Sequence, residues 1–277
     1  MAATEVPVWS DSCSWASLAV LAGDFIRQSE HLVLEHDWPT RWTVTCRYGG
    51  GEVAASVRDI ASLPIAGCQP VRGFSWRRGQ GHRPGLQFMA STGRHHGYES
   101  LTEARLLLML DFAGGLTDVL SQPMRLQFST ADGPRVHTPD FLADTDSGRW
   151  LIDVRPEDRI EERDEVAFAA TACVAARHGW DYAVVTGWKP YMWSSVDTFS
   201  SQRRPLTDRL GLTDALLEAA ADGTPTFGEL ACATQAPVIA RAYLLHLLWH
   251  RRLGIDLTRP LCDASVVTGA ACRQGAR

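Results

Sequence analysis

Two short apolar segments, each with an acid at one end, lie between His137 and Pro156 and constrain the fold more than any other stretch. The first begins after Asp140, and the second ends at Asp153. Between them, residues 144–148 read Asp-Thr-Asp-Ser-Gly, which favours a turn between two strands. Antiparallel pairing of these strands would bring both carboxylates to the same end of a hairpin.

Arg155 follows Asp153 by two positions, so on a strand the two side chains face the same side. Two acids and a cation on one face are suited to hold a divalent metal ion for phosphodiester cleavage. The alternative is a hairpin whose Asp residues cap turns, and the spacing by itself leaves both interpretations open.

Length and composition limit the class of protein. A chain of 277 residues predicts two or three modules, and 45% hydrophobic with 21% charged residues predicts a globular protein. The net charge of −5 means that any nucleic-acid-binding surface must be local. Seven cysteines without a Cys-x-x-Cys pair indicate free thiols, and no secretory signal or membrane span is visible, which together predict a cytoplasmic protein.

Residues 1–70 are predicted to form a small α+β accessory module. Residues 14–28 can be helical. The segments 41–48 and 52–57, separated by three glycines, read as a hairpin. No chemistry is apparent in this module.

A basic segment extends from Ile60 through Tyr98 and contains no Asp or Glu. Its arginines, aromatic residues and glycines predict an irregular stretch suited to contact a phosphate backbone. The alternative is a basic linker packed on the core. The candidate DNA-binding residues here are Arg77, Arg78 and Arg83.

Residues 71–196 have the order of a mixed sheet flanked by helices. An apolar face at helical spacing predicts a helix from Ser100 to Ala113, in which Ser100 and Glu103 have the form of a capping box. The other predicted elements are strands at 116–120 and 124–128, the hairpin with Asp140 and Asp153, a helix at 159–178 and a strand at 182–186.

Residues 197–268 are predicted to form a winged-helix domain, followed by a disordered tail at 269–277. After a loop at 193–205, helices are expected at 206–221, 226–233 and 237–252, with a β-wing formed by 255–257 and 265–268. Arg241, Arg251 and Arg252 are the candidate DNA-binding residues. Docking of a partner subunit is the alternative, because the module has no net positive excess. His246 and His250 lack a third ligand, so zinc is not favoured there.

The motifs in this order resemble a known family. Tyr98-Glu-Ser-Leu-Thr-Glu, Ser121-Gln-Pro, His137-Thr-Pro-Asp-Phe and Leu151-Ile-Asp-Val-Arg-Pro are similar to motifs of TnsA-like endonuclease subunits of heteromeric transposases, members of the PD-(D/E)XK nuclease superfamily. The similarity is clearest across residues 71–188. It implies a restriction-endonuclease-like α-β-β-β-α-β core that cuts DNA with Mg²⁺ or Mn²⁺.

The resemblance also implies roles for individual residues. Glu103, Asp140 and Asp153 match the family's acids, which are both catalytic and metal-binding, and Glu99 and Gln122 are possible additions. Arg155 occupies the position of the motif lysine. That is a departure, because Arg stays charged at any accessible pH and cannot act as a base. Lys189 is the only lysine in the sequence, which indicates a general drift from Lys to Arg rather than a targeted loss.

Three functions follow from this reading. The leading one is a Mg²⁺-dependent DNA endonuclease that cuts double-stranded DNA at transposon ends beside a transposase subunit and an AAA+ ATPase regulator, partners implied by the family alone. The second is a non-catalytic DNA-binding or assembly factor with a decayed nuclease core. The third is a standalone restriction or defence nuclease.

Overall fold

The computed structural model describes residues 6–63, 65–74, 83–221 and 223–269. The predicted disordered tail lies outside the described residues from position 270 onward. In chain order the helices are α1 Trp15–Leu18, α2 Trp38–Arg41, α3 Leu101–Ala113, α4 Glu162–Arg177, α5 Met192–Ser200, α6 Leu212–Ala221, α7 Phe227–Cys232 and α8 Pro237–Trp249. Short 3₁₀ helices cover Ile26–His31, Val57–Ser62, Ile65–Gly67 and Glu157–Arg159.

The strands, again in chain order, are β1 Ala19–Leu21, β2 Thr43–Tyr48, β3 Gly51–Ser56, β4 Gly85–Met89, β5 Arg94–Tyr98, β6 Leu116–Ser121, β7 Arg125–Thr130, β8 Gly133–His137, β9 Phe141–Thr145, β10 Gly148–Val154, β11 Asp181–Trp188, β12 Leu253–Gly254 and β13 Thr268–Gly269. By their packing, the residues form two compact units. The sheet unit comprises Leu21–Leu107 and Gly115–Gly187, and the helical unit comprises the residues up to Val20, Leu108–Gly114 and those from Trp188 onward.

The sheet unit contains the mixed sheet that the sequence predicts. Within it, the strands lie in the order β11-β10-β9-β6, with β10 and β11 parallel and the other neighbours antiparallel. The turn at residues 144–148 joins β9 to β10 as predicted, with Trp150 opposite Ala143. Helices α3 and α4 and these strands follow one another as α-β-β-β-α-β, with the hairpin β7–β8 inserted after β6.

A second sheet in this unit, ordered β3-β2-β7-β8, contains the inserted hairpin. Strands β2 and β3 form the predicted hairpin, and Gly49 and Gly50 make its two-residue turn with positive φ of 59° and 84°. Positive φ at both positions belongs to the turn type that matches the twist of paired strands, and glycine adopts it without strain. Trp42, Val44, Leu126 and Phe128 form part of the buried core that this sheet covers.

The helical unit has its own core, built from α5, α6, α7, α8 and the last turns of α3. Phe112 packs against both Phe199 and Trp249 in this core. The three helices expected after residue 206 are present with shorter limits. Strands β12 and β13 pair at 253–254 and 268–269 instead of at the expected 255–257 and 265–268. Ile255 and Leu257 bond to the backbone of Ser10 and Val8.

Three predictions of local structure are wrong. The helix expected at 14–28 ends at Leu18, after which the chain enters β1. The loop expected at 193–205 contains α5, which buries Val196 and Phe199 in the helical core. The irregular stretch expected up to Tyr98 contains the hairpin β4–β5. For α5, packing in the helical core overrides the local composition, whereas β4 and β5 pair with each other across a short turn.

The predicted domain limits at 70, 196 and 268 stay predictions. The observed packing places residues 6–20 with the helical unit, because Ser10 exchanges hydrogen bonds with Ile255. No helix in the described part of the chain is long and apolar enough to cross a membrane.

Candidate active site

Asp140 and Asp153 lie at the same end of the β9–β10 hairpin. Phe141, the first residue of β9, pairs with Ile152, so the next pair along the register is Asp140 with Asp153. Both carboxylates line one cavity of about 220 Å³ in the sheet unit. The strand pairing therefore brings together the two acids that the sequence singled out.

The surroundings of Asp140 in this cavity disfavour its ionised form. The Asp140 Oδ2 accepts a hydrogen bond of 2.7 Å from the backbone N–H of Val154. Burial, followed by repulsion from Asp153 and from Glu103, nevertheless holds the pKa of Asp140 well above its usual value. Burial and repulsion between carboxylates favour the protonated form of Asp140, and a positive charge nearby would favour the ionised form instead.

Asp153 is 2% exposed and has two side-chain partners that the sequence analysis did not assign. His137 Nε2 lies 3.0 Å from its Oδ1 and 3.1 Å from its Oδ2, and the Tyr182 hydroxyl donates a 2.8 Å hydrogen bond to Oδ2. His137 stands in the same motif as Asp140, which was an available signal. No sequence motif points to Tyr182, because only the parallel pairing of β10 with β11 brings it close to Asp153.

The pKa values of both partners are raised, and the causes differ. Burial works to lower the pKa of His137, but attraction and hydrogen bonding to Asp153 outweigh it, so the pKa of His137 is raised. Burial and the neighbouring Asp153 raise the pKa of Tyr182 well above its usual value. Tyr182 is therefore a neutral hydroxyl that donates to Asp153.

Glu103 reaches the cavity from the first turn of α3 and is also part of the helix cap. Its backbone N–H donates to Ser100 Oγ, while its own carboxylate accepts from the Ser100 hydroxyl and from the Glu99 N–H, each at 2.8 Å. Glu99 lines the same cavity, with its Oε2 3.5 Å from Arg72 Nη2. Both acids thus lie at the site. Glu103 also makes the capping-box contacts with Ser100 that the sequence predicts.

Arg155 lines the cavity and is held from two sides. Its Nη2 lies 3.0 Å from Asp164 Oδ2, and its Nε donates to the backbone carbonyl of Arg159 at 3.0 Å. The same Asp164 carboxylate accepts from the Glu161 N–H and so completes the capping box of α4. The start of this helix therefore fixes the position of the guanidinium.

Gln122 is buried with 1% exposure but does not line the cavity. Its backbone has a φ of 46°, its N–H donates to the Asp140 carbonyl at 2.7 Å, and its carbonyl accepts from Val71. Both side-chain amide atoms are buried without a hydrogen-bond partner. Gln122 therefore supports the backbone that precedes β9.

Four of the predicted DNA-binding arginines lie among the described residues, and their surroundings differ. Arg77 and Arg78 lie outside the described residues, and Arg83 is exposed. In the helical unit, Arg241 forms a two-bond ion pair with Asp263, and Arg251 donates to the backbone carbonyls of Asp11 and Cys13. Arg252 is exposed.

The donor set fits a hard divalent cation of the Mg²⁺ type. In the described residues no group of three or more His, Cys, Asp and Glu side chains is placed to hold a metal ion. Mg²⁺ is commonly held by one or two carboxylates and several waters. Asp140 and Asp153 provide two carboxylates, and the mutual repulsion that raises the pKa of Asp140 would be relieved by such a cation.

The comparisons with known proteins address the same segment. Residues 116–187 match the family model described as TnsA-like endonuclease N terminal, which confirms the resemblance to TnsA-like nucleases. The match covers about a quarter of the chain, from the start of β6 into β11, and includes Asp140, Asp153 and Arg155 but not Glu103. The comparison with curated proteins gives no match. The matched segment is thus similar to the N-terminal domain of TnsA-like endonucleases.

Proposed function

We propose that this protein is a Mg²⁺-dependent DNA endonuclease that cleaves phosphodiester bonds at transposon ends as one subunit of a heteromeric transposase. The observation that carries the proposal is the pair of acids Asp140 and Asp153, which share a cavity within the segment that matches TnsA-like endonucleases. Mn²⁺ is expected to replace Mg²⁺, since both prefer oxygen ligands.

The residues of the cavity would have different roles in DNA cleavage. Asp140 and Asp153 would hold the cation, with Glu103 joining directly or through water. When bound, the cation would neutralise charge on the scissile phosphate and acidify the attacking water. Arg155 would stabilise the charge that develops on the phosphate, because its guanidinium stays protonated and acts as an electrostatic group rather than as a base.

Three macromolecular partners belong to the proposal. Double-stranded DNA is the substrate, a transposase subunit acts on the same DNA ends, and an AAA+ ATPase regulates the assembly. The helices α6 to α8 and the β12–β13 pair would act as a winged-helix module that binds DNA. The exposed side chain of Arg252 supports that assignment, whereas Arg241 is paired with Asp263.

A non-catalytic DNA-binding or assembly factor is the second candidate. One observation favours it: the guanidinium that stands at the position of the motif lysine is held by Asp164 and by a backbone carbonyl. If the core has lost its chemistry, the full chain will bind DNA and its partner subunit without cutting.

Cleavage assays separate the two candidates. The full chain, with and without the transposase subunit, is incubated with supercoiled plasmid and with linear DNA that carries transposon ends, in Mg²⁺, in Mn²⁺ and in EDTA. We expect nicking that requires the metal and that is abolished in Asp140→Asn and in Asp153→Asn. Asp132→Asn is the matched control, because the Asp132 side chain is 83% exposed at a turn. Nicking that survives both site variants would contradict the assignment.

A further inference from the structure

The hydrogen bonds around Asp153 come from two strands that do not otherwise share the site. His137 is the last residue of β8, in the second sheet, and Tyr182 lies on β11, in the mixed sheet. Both side chains converge on a carboxylate that is almost fully buried. A buried polar cluster with defined partners on both sides has a fixed geometry.

We propose that His137 and Tyr182 are positioning residues that fix the orientation of the Asp153 carboxylate toward a divalent cation in the cavity. The inference rests on the proposed function and assigns these two residues a role in the affinity for metal. Neither side chain is assigned contact with the phosphate.

The lone pairs of Asp153 support this division of roles. An ionised carboxylate accepts about four hydrogen bonds through two oxygens. The Tyr182 hydroxyl uses one site on Oδ2, and the His137 ring sits within 3.1 Å of both oxygens. Acceptor capacity remains for a cation, while rotation of the carboxylate would break one or more of these bonds.

The side chains of His137 and Tyr182 are themselves held in place by neighbouring elements. The ring of His137 meets the ring of Phe168 on α4 edge-on, with centroids 6.1 Å apart. Tyr182 pairs with Leu151 through the parallel register of β10 and β11, two residues from Asp153. Groups that hydrogen-bond to a metal ligand typically contribute about 10- to 100-fold to metal affinity or activity.

A purely structural role for His137 and Tyr182 predicts a different effect of their substitution on metal affinity. If His137 and Tyr182 only satisfy a buried acid, their removal lowers the melting temperature and leaves the metal affinity of the folded protein unchanged. If they orient Asp153, metal affinity falls in protein that remains folded. Metal binding measured without DNA therefore discriminates between the two roles.

The test uses the full-length protein and titrates Mn²⁺ by electron paramagnetic resonance of the free ion. The variants are Tyr182→Phe, His137→Gln and His137→Ala. We expect Tyr182→Phe and His137→Ala each to weaken Mn²⁺ binding by about 10-fold or more. His137→Gln keeps an N–H donor and should lose less than His137→Ala. In nicking assays kcat should fall while KM for DNA stays constant.

The controls are Tyr48→Phe and His36→Gln, exposed residues of the same types in the sheet unit, which should match the wild type. Wild-type Mn²⁺ affinity in folded Tyr182→Phe and His137→Ala would overturn the inference, while a loss of binding in Asp153→Asn would leave the proposed function standing. A wild-type protein that neither binds Mn²⁺ nor cuts with its partner present would overturn both. If His137→Ala does not fold, Tyr182→Phe and His137→Gln decide the outcome.

Discussion

Two helices in different units begin with the same device and differ in what surrounds it. At the start of α3, which lies in the sheet unit, Ser100 and Glu103 form the cap. At the start of α7, in the helical unit, Thr226 and Glu229 do so. Glu229 is in solvent, and the N–H of Thr226 lowers its pKa. Glu103 is 7% exposed and helps to raise the pKa of Asp140, after burial and Asp153.

This difference between the surroundings of the two glutamates indicates where a ligand is expected to bind. In the helical unit, the Glu229 carboxylate accepts hydrogen bonds from Thr226, so this acid stabilises the fold. At the cavity of the sheet unit the acids outnumber the cations that approach them, so a cation from solution would stabilise the site. The same local pattern caps both helices, and variants in matched positions can test whether Glu103 has a second role at the cavity.

Among the variants that compare the two units, the largest effect is expected at Arg155, and Arg241 is its counterpart in the helical unit. Arg155 pairs with Asp164 at the cavity, and Arg241 pairs with Asp263 in the helical unit. Arg155→Ala should lower the nicking rate about 10²- to 10³-fold, the typical loss for removal of an electrostatic stabiliser. Arg155→Lys should keep substantial activity, and Arg241→Ala should leave the nicking rate at saturating DNA unchanged.

Two other results would revise the role of Arg155. Full activity in Arg155→Ala would mean that another residue supplies the cation, and Lys189 would be the first to test. A wild type without activity whose Arg155→Lys variant cuts DNA would indicate a decayed core.

The next effect compares the two capping acids directly. Gln caps a helix about as well as Glu, so Glu103→Gln and Glu229→Gln should both leave the melting temperature close to that of the wild type. If Glu103 also acts on the metal or its water, Glu103→Gln should lower activity by about 10- to 100-fold, whereas Glu229→Gln should not. Equal activity in the two variants would make Glu103 a cap only, and loss in Glu99→Gln would then move its role to Glu99.

A smaller effect concerns stability and its dependence on pH. Because the pKa of Asp140 is raised in the folded protein, protonation favours folding, and this contribution is present below the usual carboxyl pKa and lost as pH rises through the raised value. Asp140→Asn should therefore melt higher than the wild type at pH 8, with the difference shrinking toward pH 4. In a chain of this size, about 1 kcal/mol corresponds to about 2–4 °C.

Two comparisons check that result by differential scanning calorimetry. Asp132→Asn, at an exposed turn, should show no such pH-dependent difference. Addition of Mg²⁺ should raise the melting temperature of the wild type and narrow its gap to Asp140→Asn. A wild type that melts higher than Asp140→Asn at pH 8 without metal would show that repulsion among the acids does not destabilise the fold.

The smallest effect is expected in DNA binding by the helical unit. Arg252 is exposed and forms no ion pair among the described residues, whereas Arg241 is paired. In the full chain, Arg252→Ala should lower the magnitude of the slope of log affinity against log salt by about one unit, as for the loss of one phosphate contact. Arg241→Ala should change the slope less, and an unchanged slope in both would favour docking of a partner protein.

The sequence by itself determined the elements whose signals are local. The Gly-Gly turn between β2 and β3, the polar turn between β9 and β10 and the Ser100–Glu103 cap of α3 are each contained within a few residues. The register of one hairpin then suffices to place Asp140 and Asp153 together, because pairing of neighbouring strands follows from the turn that joins them.

Only the tertiary structure decided the surroundings of those acids. Tyr182 reaches Asp153 through parallel pairing with β10, and His137 does so from a strand of another sheet. Packing in the helical core likewise made α5 out of a stretch with loop composition, and pairing with Ile255 took residues 8–10 out of the expected N-terminal module. These contacts join residues far apart in the chain, and no local preference encodes them, because their free energy comes from burial and hydrogen bonds that exist only after folding.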